Sequence, residues 1–286
     1  MIDKTQQRAA QQFKSMHQED DLFVMPCAWD VFSALILERA GFQCIGTTSG
    51  GVNWVRGRQD YVYSTPRSEM LDAYGEIARS TSLPVSGDLE NGYGVEPDEV
   101  AETIRSSIEQ GMAGGSIEDQ GSIPTDAEFG NGVLLPRELA VARIRAARAT
   151  ADASGLAYTL TARCEVYYTD CADPYSEAVD RLAAYRDAGA DCLFVPGLND
   201  IRGLAQLVTD LEGAPVNFGM GATPEPLSLN MLRDAGIRRV STGGGLTRAT
   251  FGLVQAAASE ILASGTFGYL SNALSESHIN QLLKKE

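Results

Sequence analysis

A short apolar run in this chain delivers two carboxylates into a glycine-rich turn: Pro84-Val85-Ser86-Gly87-Asp88-Leu89-Glu90-Asn91-Gly92-Tyr93-Gly94. Pro84 to Leu89 reads as a buried strand, opened by a proline where no ladder donor is missed and ended by a turn signal at Asn91-Gly92. Residues i and i+2 of a strand share a face, so Asp88 and Glu90 are expected to converge at its carboxyl end. A second acidic pair, Glu118-Asp119, closes another apolar strand, Gly114 to Ile117. Acids at the ends of two strands could share one divalent cation, or each could cap the helix that follows. Hard carboxylates without histidine or cysteine favour Mg²⁺ or Mn²⁺ over zinc. His17 and His278 lie near the termini, outside any strand end, and are expected at the solvent-exposed surface, so neither a histidine base nor a zinc site is expected.

The elements that must position these acids alternate. After a helix near Lys4 to Gln18, strands are expected at Leu22–Cys27, Phe42–Thr47, Pro84–Leu89, Gly114–Ile117, Ala157–Cys164, Asp191–Val195, Pro215–Phe218 and Arg239–Thr242, with amphipathic helices between them. A long polar loop through Asp60 follows the second strand. Another, Gln120 to Leu135, has the length of a lid. Recurrent turns that close the helices (Ala40-Gly41, Gln110-Gly111, Ala188-Gly189, Ala235-Gly236) complete the pattern of a (β/α)8 barrel. A doubly wound sheet is disfavoured, because Pro26-Cys27-Ala28-Trp29-Asp30 stands where its glycine fingerprint would be. One barrel domain is expected over residues 1–286, with an N-terminal helical segment at 1–21 and a C-terminal one at 246–286.

Catalytic groups of a barrel come from the carboxyl ends of its strands. Here those ends carry Trp29 and Asp30, then Ser49-Gly50-Gly51, Asp88 and Glu90, Glu118, Arg163 and Glu165, Pro196-Gly197, Asn217, and Gly243-Gly244-Gly245. Arg163 in so acidic a setting reads as a bidentate clamp for a substrate carboxylate, with a structural counter-ion as the other role open to it. The N–H groups of Ser49-Gly50-Gly51 could capture an anion or simply form a turn. Gly243-Gly244-Gly245 before a helix resembles a phosphate cradle, and a close helix–strand crossing explains it equally well.

With 286 residues, 44% of them hydrophobic, the chain can bury a large core. Its net charge of −15 argues against a nucleic-acid or membrane-surface partner. The same charge requires that an anionic substrate meet a local cation or N–H cluster. No apolar run is long enough for a bilayer, the first residues lack a signal-peptide core, and a cytoplasmic location is expected. The five cysteines include no CxxC pair and read as reduced thiols, mostly buried.

Taken together, Thr47-Thr48-Ser49-Gly50-Gly51, Gly57-Arg58-Gln59-Asp60, Asp88-Leu89-Glu90-Asn91-Gly92-Tyr93-Gly94, Ile117-Glu118-Asp119, Ala162-Arg163, Phe194-Val195-Pro196-Gly197 and Pro215-Val216-Asn217 resemble the isocitrate lyase and phosphoenolpyruvate mutase superfamily, in order and spacing, from about Phe23 to Leu262. The resemblance implies a Mg²⁺-dependent barrel acting on small 2-oxo or 2-hydroxy carboxylates through an enolate. It assigns Asp60, Asp88, Glu90 and Glu118 to the ion, several through water. It assigns Ser49, Gly50 and Gly51 to the substrate carboxylate, with Arg163 across from them; Trp29 and Asn217 complete the expected substrate wall. It also implies a homodimer or homotetramer in which the eighth helix is swapped between subunits.

Two departures narrow the chemistry. The family's lyases carry a Lys-Lys-Cys or Lys-Arg-Cys motif in the lid, whereas the lid here, Gln120-Gly121-Ser122-Ile123-Pro124-Thr125-Asp126-Ala127-Glu128-Phe129-Gly130-Asn131-Gly132, holds neither lysine nor cysteine. The phosphonate enzymes carry a lid lysine and asparagine and a histidine after the sixth strand. This chain lacks that lysine, and Asp126 and Pro196 stand in the places of the other two. The expectation is therefore a carbon–carbon lyase, decarboxylase or hydrolase on a small di- or tricarboxylate, with Tyr93, Glu165, Asp126 or metal-bound water carrying the proton and Arg163 on the substrate. A phosphorus-bearing substrate or a catalytically silent carboxylate binder are the alternatives.

Overall fold

The computed structural model describes residues 2–60, 63–121, 132–221 and 227–284. Asp126 lies outside them. The strands are β1 (Phe23–Met25), β2 (Cys27–Ala28), β3 (Ile45–Thr47), β4 (Val85–Asp88), β5 (Gly114–Glu118), β6 (Thr159–Arg163), β7 (Cys192–Phe194), β8 (Val216–Gly219) and β9 (Arg239–Ser241). All pairings are parallel, in the order β1-β9-β8-β7-β6-β5-β4-β3-β2. The two ends of that order are one strand interrupted by Pro26. Lacking an N–H, Pro26 cannot donate to the ladder, but its carbonyl accepts from Gly46 N at 2.8 Å, and Cys27 N reaches Thr242 Oγ1 at 2.9 Å. The sheet thereby closes into the (β/α)8 barrel that the alternation predicts.

Helices α1 (Lys4–Gln18), α2 (Val31–Arg39), α3 (Ser49–Val55), α4 (Arg67–Ser80), α5 (Pro97–Glu109), α6 (Arg137–Ser154), α7 (Pro174–Asp187), α8 (Ile201–Asp210), α9 (Leu229–Asp234), α10 (Gly245–Ser264) and α11 (Glu276–Leu282) surround it. Asp30, Asp173, Asp200 and Ser228 cap α2, α7, α8 and α9 through their side chains, each satisfying an N–H that the first turn leaves unpaired. Helix α3 stands where the sequence pattern indicates only loop. Two glycines in a seven-residue helix give it poor intrinsic propensity. The Thr48 hydroxyl, accepting from Gly51 N, and burial of Val52 against the barrel supply what propensity does not.

The expectation that His17 is solvent-exposed is wrong. His17 is 3% exposed and closes the amino-terminal end of the barrel together with Phe13 and Met16 of α1. Its Nδ1 lies 2.8 Å from the Phe13 carbonyl and its Nε2 3.1 Å from Arg239 Nη1. Arg239 in turn donates to Asn217 Oδ1 at 2.8 Å and to Thr161 Oγ1 at 3.1 Å. A guanidinium pointing into the barrel must find acceptors, and a neutral imidazole supplied by α1 is one. Burial, then the Arg239 charge, push the His17 pKa down to about 3. Cys27, Cys44, Cys164 and Cys192 are buried and Cys171 half-buried, all as free thiols. Among the described residues no helix is long and apolar enough to cross a membrane.

Candidate active site

At the carboxyl end of the strands lies a cavity of about 380 Å³ whose walls include Ser49, Gly50, Asp60, Asp88, Glu90, Glu118, Arg163 and Asn217. Strand β4 ends at Asp88, so Glu90 reaches the cavity by a different route from the strand alternation that the spacing implies. The chain turns left-handed at Glu90 (φ 49°) and again at Gly92 and at Tyr93 (φ 56°). The ladder is nonetheless kept, with Leu89 N donating to Ser116 O and Glu118 N to Glu90 O. Non-glycine residues held at positive φ cost free energy that the surrounding structure must offset. Here the turn aims a second carboxylate beside the first.

Asp88 Oδ2 accepts from the Ser49 backbone N at 3.1 Å and from its hydroxyl at 2.9 Å. Glu90 is 6% exposed and its Oε2 has no hydrogen-bond partner. Burial first, then the charges of Asp88 and Asp60, push its carboxyl up to about 8. Asn53, fully buried on α3, donates to Asp60 Oδ1 at 3.4 Å and also holds Glu90. The Tyr93 hydroxyl sits next to Glu90, where burial and that carboxylate raise its pKa well above the usual phenol range.

The Glu118-Asp119 pair divides, as neighbours on a strand must. Glu118 faces the cavity, 3.4 Å from Arg163 Nη1, and accepts from the Tyr63 hydroxyl at 3.3 Å; burial holds its carboxyl well above the usual range despite Arg163. Asp119 points outward into α7. It accepts from Tyr185 Oη at 2.6 Å, from Arg181 Nη1 at 3.3 Å and from Glu165 N at 2.9 Å. Glu165, 1% exposed, forms an ion pair with Arg163 Nε behind the cavity wall. The Arg163 guanidinium also lies 5.4 Å from the Phe194 ring centroid. Two carboxylates and an aromatic face thus hold one guanidinium in place.

Other expected residues are placed differently. Trp29 and Gly51 do not line the cavity: Trp29 packs behind Gly51, where an added Cβ would come within 2.8 Å of it. Trp54 lines the wall instead. Gly244 is a glycine because a Cβ there would stand 2.7 Å from the Trp54 ring, which is the close crossing that Gly243-Gly244-Gly245 allows. Asn217 lines the floor, with Oδ1 on Arg239 and Nδ2 on Ser241 Oγ at 3.0 Å, so both ends of its amide are occupied. Sequence reasoning missed Asn53, Trp54, Tyr63, Tyr168, Asn199 and Arg248, the last five of which line the cavity. Asn53 and Trp54 come from the second half of α3, Tyr168 from a single 3-10 turn, and Tyr63 and Asn199 from loops; only Arg248, in the turn after Gly243-Gly244-Gly245, carried a positional signal. The two ends of the expected lid are pinned together by the Gln120–Leu134 bridge and by Gly121 N on Val133 O at 2.7 Å.

The acids fit a hard divalent cation: a buried carboxylate oxygen without a partner stands among other carboxylates, of which Arg163 pairs with Glu118. Among the described residues no three acidic, histidine or cysteine side chains form a ready-made cage. That arrangement suits an ion that keeps several waters.

A closed parallel barrel whose strand ends surround a small cavity with carboxylates and an arginine has the architecture of a barrel enzyme, with its candidate active site at that end. The family model for phosphoenolpyruvate phosphomutase matches residues 13–262, and the chain belongs to this family, within the isocitrate lyase and phosphoenolpyruvate mutase superfamily of lyases and mutases. It is 40% identical, with a TM-score of 0.90, to a solved Burkholderia cenocepacia J2315 structure described only as a lyase/mutase, over 98% of this chain and 96% of that one. A 2,3-dimethylmalate lyase structure superposes with a TM-score of 0.83 at 27% identity, covering 96% of this chain and 95% of that one. The 2-methylisocitrate lyase of Halalkalibacterium halodurans is 28% identical over 255 residues, 88% of this chain and 76% of that protein.

Proposed function

We propose that this carbon–carbon lyase acts with Mg²⁺ on a small 2-oxo or 2-hydroxy di- or tricarboxylate, cleaving the bond that leaves an enolate. The observation that carries the reading is the opposition, across one cavity, of the Asp60, Asp88, Glu90 and Glu118 carboxylates and the fixed Arg163 guanidinium. Mg²⁺, when bound, would polarise the 2-oxo or 2-hydroxy group and lower the energy of the enolate. Asp60, Asp88, Glu90 and Glu118 would hold it, in part through water. Ser49 orients Asp88, and Asn53 orients Asp60 and Glu90. Arg163, steadied by Glu165, binds the substrate carboxylate, and Ser49 and Gly50 at the start of α3 line the same space, with the Ser49 N–H engaged by Asp88 and the Gly51 N–H by Thr48. Glu165 is thereby the partner of Arg163 rather than a free proton carrier. Trp54, Tyr63 and Tyr168 contribute aromatic rings to the walls.

Support for an assembled form comes from α10. Phe251, Leu253, Val254 and Leu262 are exposed on it, as are Phe267 and Leu270 beyond it. An apolar surface of this extent suits a second copy of the chain, as a dimer or tetramer that exchanges the helix. Sedimentation of the protein alone reads its mass directly. For the reaction, purified protein is mixed with Mg²⁺ and a panel of 2-oxo and 2-hydroxy di- and tricarboxylates while pyruvate, CO₂ and glyoxylate are followed. Turnover that EDTA abolishes is expected; no turnover on any member, or turnover indifferent to EDTA, rejects the assignment.

A further inference from the structure

The segment that brings Glu90 into the cavity holds a conformation its own residues do not favour. Glu90 (φ 49°), Gly92 (φ 80°) and Tyr93 (φ 56°) are all left-handed, and two of the three carry a Cβ. Groups outside the turn hold it by its carbonyls. Gly92 O accepts from Thr103 Oγ1 of α5 at 2.6 Å. The carbonyls on either side of it, Asn91 O and Gly94 O, both accept from one nitrogen, Nη2 of Arg143 on α6, the second at 3.1 Å. A Cβ added to Gly92 would stand 3.5 Å from that same nitrogen, so the turn folds closely around the guanidinium.

Arg143 occupies a position where the helical period calls for an apolar side chain. It lies on the buried face of α6 with Ala140, Ile144, Ala147 and Ala151 and is 1% exposed. Buried arginines ordinarily meet a carboxylate. Among the described residues, the acceptors of Arg143 are the two turn carbonyls, and its Nε has none. Glu118 and Asp119 line a small void with it where α6 meets the end of β5, and their charges reach it only at longer range. The Arg143 side chain does not line the cavity itself. Burying a charge against neutral carbonyls costs free energy. Packing α6 on the barrel requires no cation there, whereas the turn requires a donor that reaches both its flanks.

We infer that Arg143 is a positioning residue of the site. By holding Asn91 O and Gly94 O it fixes the left-handed turn and keeps the Glu90 carboxylate beside Asp88 and Asp60, without touching cation or substrate. This rests on the Mg²⁺ reading given under Proposed function and deepens it: the affinity of that site depends on a side chain from α6. Partners that orient a metal's ligands from outside set its affinity by about 10–100-fold.

The test is calorimetric titration of the full-length protein with Mg²⁺ alone, beside urea midpoints of the same samples. Arg143→Met is expected to bind Mg²⁺ about tenfold or more weakly than wild type. Arg143→Lys keeps a charged donor on a shorter reach and recovers part of that loss. Arg148→Met is the control for loosening of α6: Arg148 lies on the same helix and bonds to Tyr158 O, Asp191 and Asp152, away from the turn. It is expected to lower the urea midpoint and leave Mg²⁺ affinity unchanged. Should Arg143→Met fail to fold, Arg143→Gln takes its place, since its amide stops short of the turn and is expected to bind Mg²⁺ several-fold more weakly than wild type. A folded Met or Gln variant that binds Mg²⁺ as wild type does overturns the inference. So does an Arg148→Met that loses as much affinity as Arg143→Met, or an Arg143→Lys that recovers nothing. Wild type that binds no Mg²⁺ is a different result: it overturns the Mg²⁺ reading itself, and the role of Arg143 with it.

Discussion

Glu90→Gln separates the charge of the acidic cluster from its shape, since the two side chains are nearly isosteric. In metal-free protein the Glu90 carboxyl titrates near 8 because it is buried beside Asp88 and Asp60, against about 4.3 in an unfolded chain. The folded state therefore holds this proton more tightly than the unfolded state does. Its contribution to stability is fully present below the unfolded pKa and is lost as pH rises through 8. The difference is three to four pKa units at about 1.36 kcal/mol each, on the order of 5 kcal/mol by a pH somewhat above 8. In EDTA, wild-type stability from urea midpoints is expected to fall between about pH 5 and pH 8.5 by several kcal/mol more than that of Glu90→Gln. Near pH 8.5 the variant is the more stable protein. Saturating Mg²⁺ is expected to reverse the order, because a divalent cation held by the proposed ligands would compensate the charge in wild type and find one ligand fewer in the variant. Parallel pH dependences in EDTA, or an equal Mg²⁺ response in both proteins, would refute the reasoning.

The opposite sign is expected at the other end of the barrel. His17 has its pKa depressed to about 3, so its contribution is intact above the unfolded value near 6.5 and is lost as pH falls toward 3; about 3 kcal/mol is gone by pH 4.5, and His17→Gln flattens that limb of the urea-midpoint profile. Asp119→Ala strands the buried Arg181 and the Tyr185 hydroxyl, and about 3–5 kcal/mol of stability is expected to disappear in the same denaturant assay. Gly50→Ala puts a Cβ 2.5 Å from Asp60 Oδ2, displacing that carboxylate, and weaker Mg²⁺ binding by calorimetry with little change in thermal midpoint is the outcome that supports it. Tyr63→Phe is expected to lower kcat by about a hundredfold with KM little changed if the phenol donates to the enolate.

What the sequence made legible was whatever obeys a period. Strand–helix alternation locates every barrel strand within a few residues, and the same logic puts Asp88 and Glu118 at strand ends. It fails where backbone conformation overrides the period. Glu90 reaches the cavity through a left-handed turn that strand alternation does not contain. Asp119 is lost to α7 because adjacent strand residues face opposite ways, a distinction that the acidic pair hides when read as a unit. Gly50 and Gly51 looked like loop, since their propensity argues against the helix that tertiary packing imposes on α3. His17 was misplaced for a different reason. Nothing local to α1 announces that Arg239, more than two hundred residues later, needs an acceptor inside the barrel. Trp29 and Trp54 exchanged roles because the choice between two aromatic side chains depends on the close approach at Gly244, and that contact joins β9 to α3.

The placement of titratable groups also bears on which bond is cleaved. A retro-aldol cleavage of a 2-hydroxy acid begins when a base removes the hydroxyl proton. Loss of a carboxylate from C3 of a 2-oxo acid needs no such base: the electron pair of the broken bond flows into the oxo group, CO₂ leaves, and the enolate then needs only a proton. Among the described residues, the phenols of Tyr63 and Tyr168 on the cavity wall both have pKa values raised first by burial and then by neighbouring carboxylates, Glu118 for Tyr63 and Glu165 for Tyr168. Both are thus protonated near neutral pH and suited to donating. Glu165 is shielded behind Arg163, and the lid sequence offers neither lysine nor cysteine. Acids are therefore at hand on the cavity wall, while a base for the first step of a retro-aldol reaction must come from the carboxylate cluster, which the cation would occupy. The balance of groups favours cleavage that yields an enolate without prior deprotonation of a hydroxyl. Decarboxylation of a 2-oxo dicarboxylate meets that requirement.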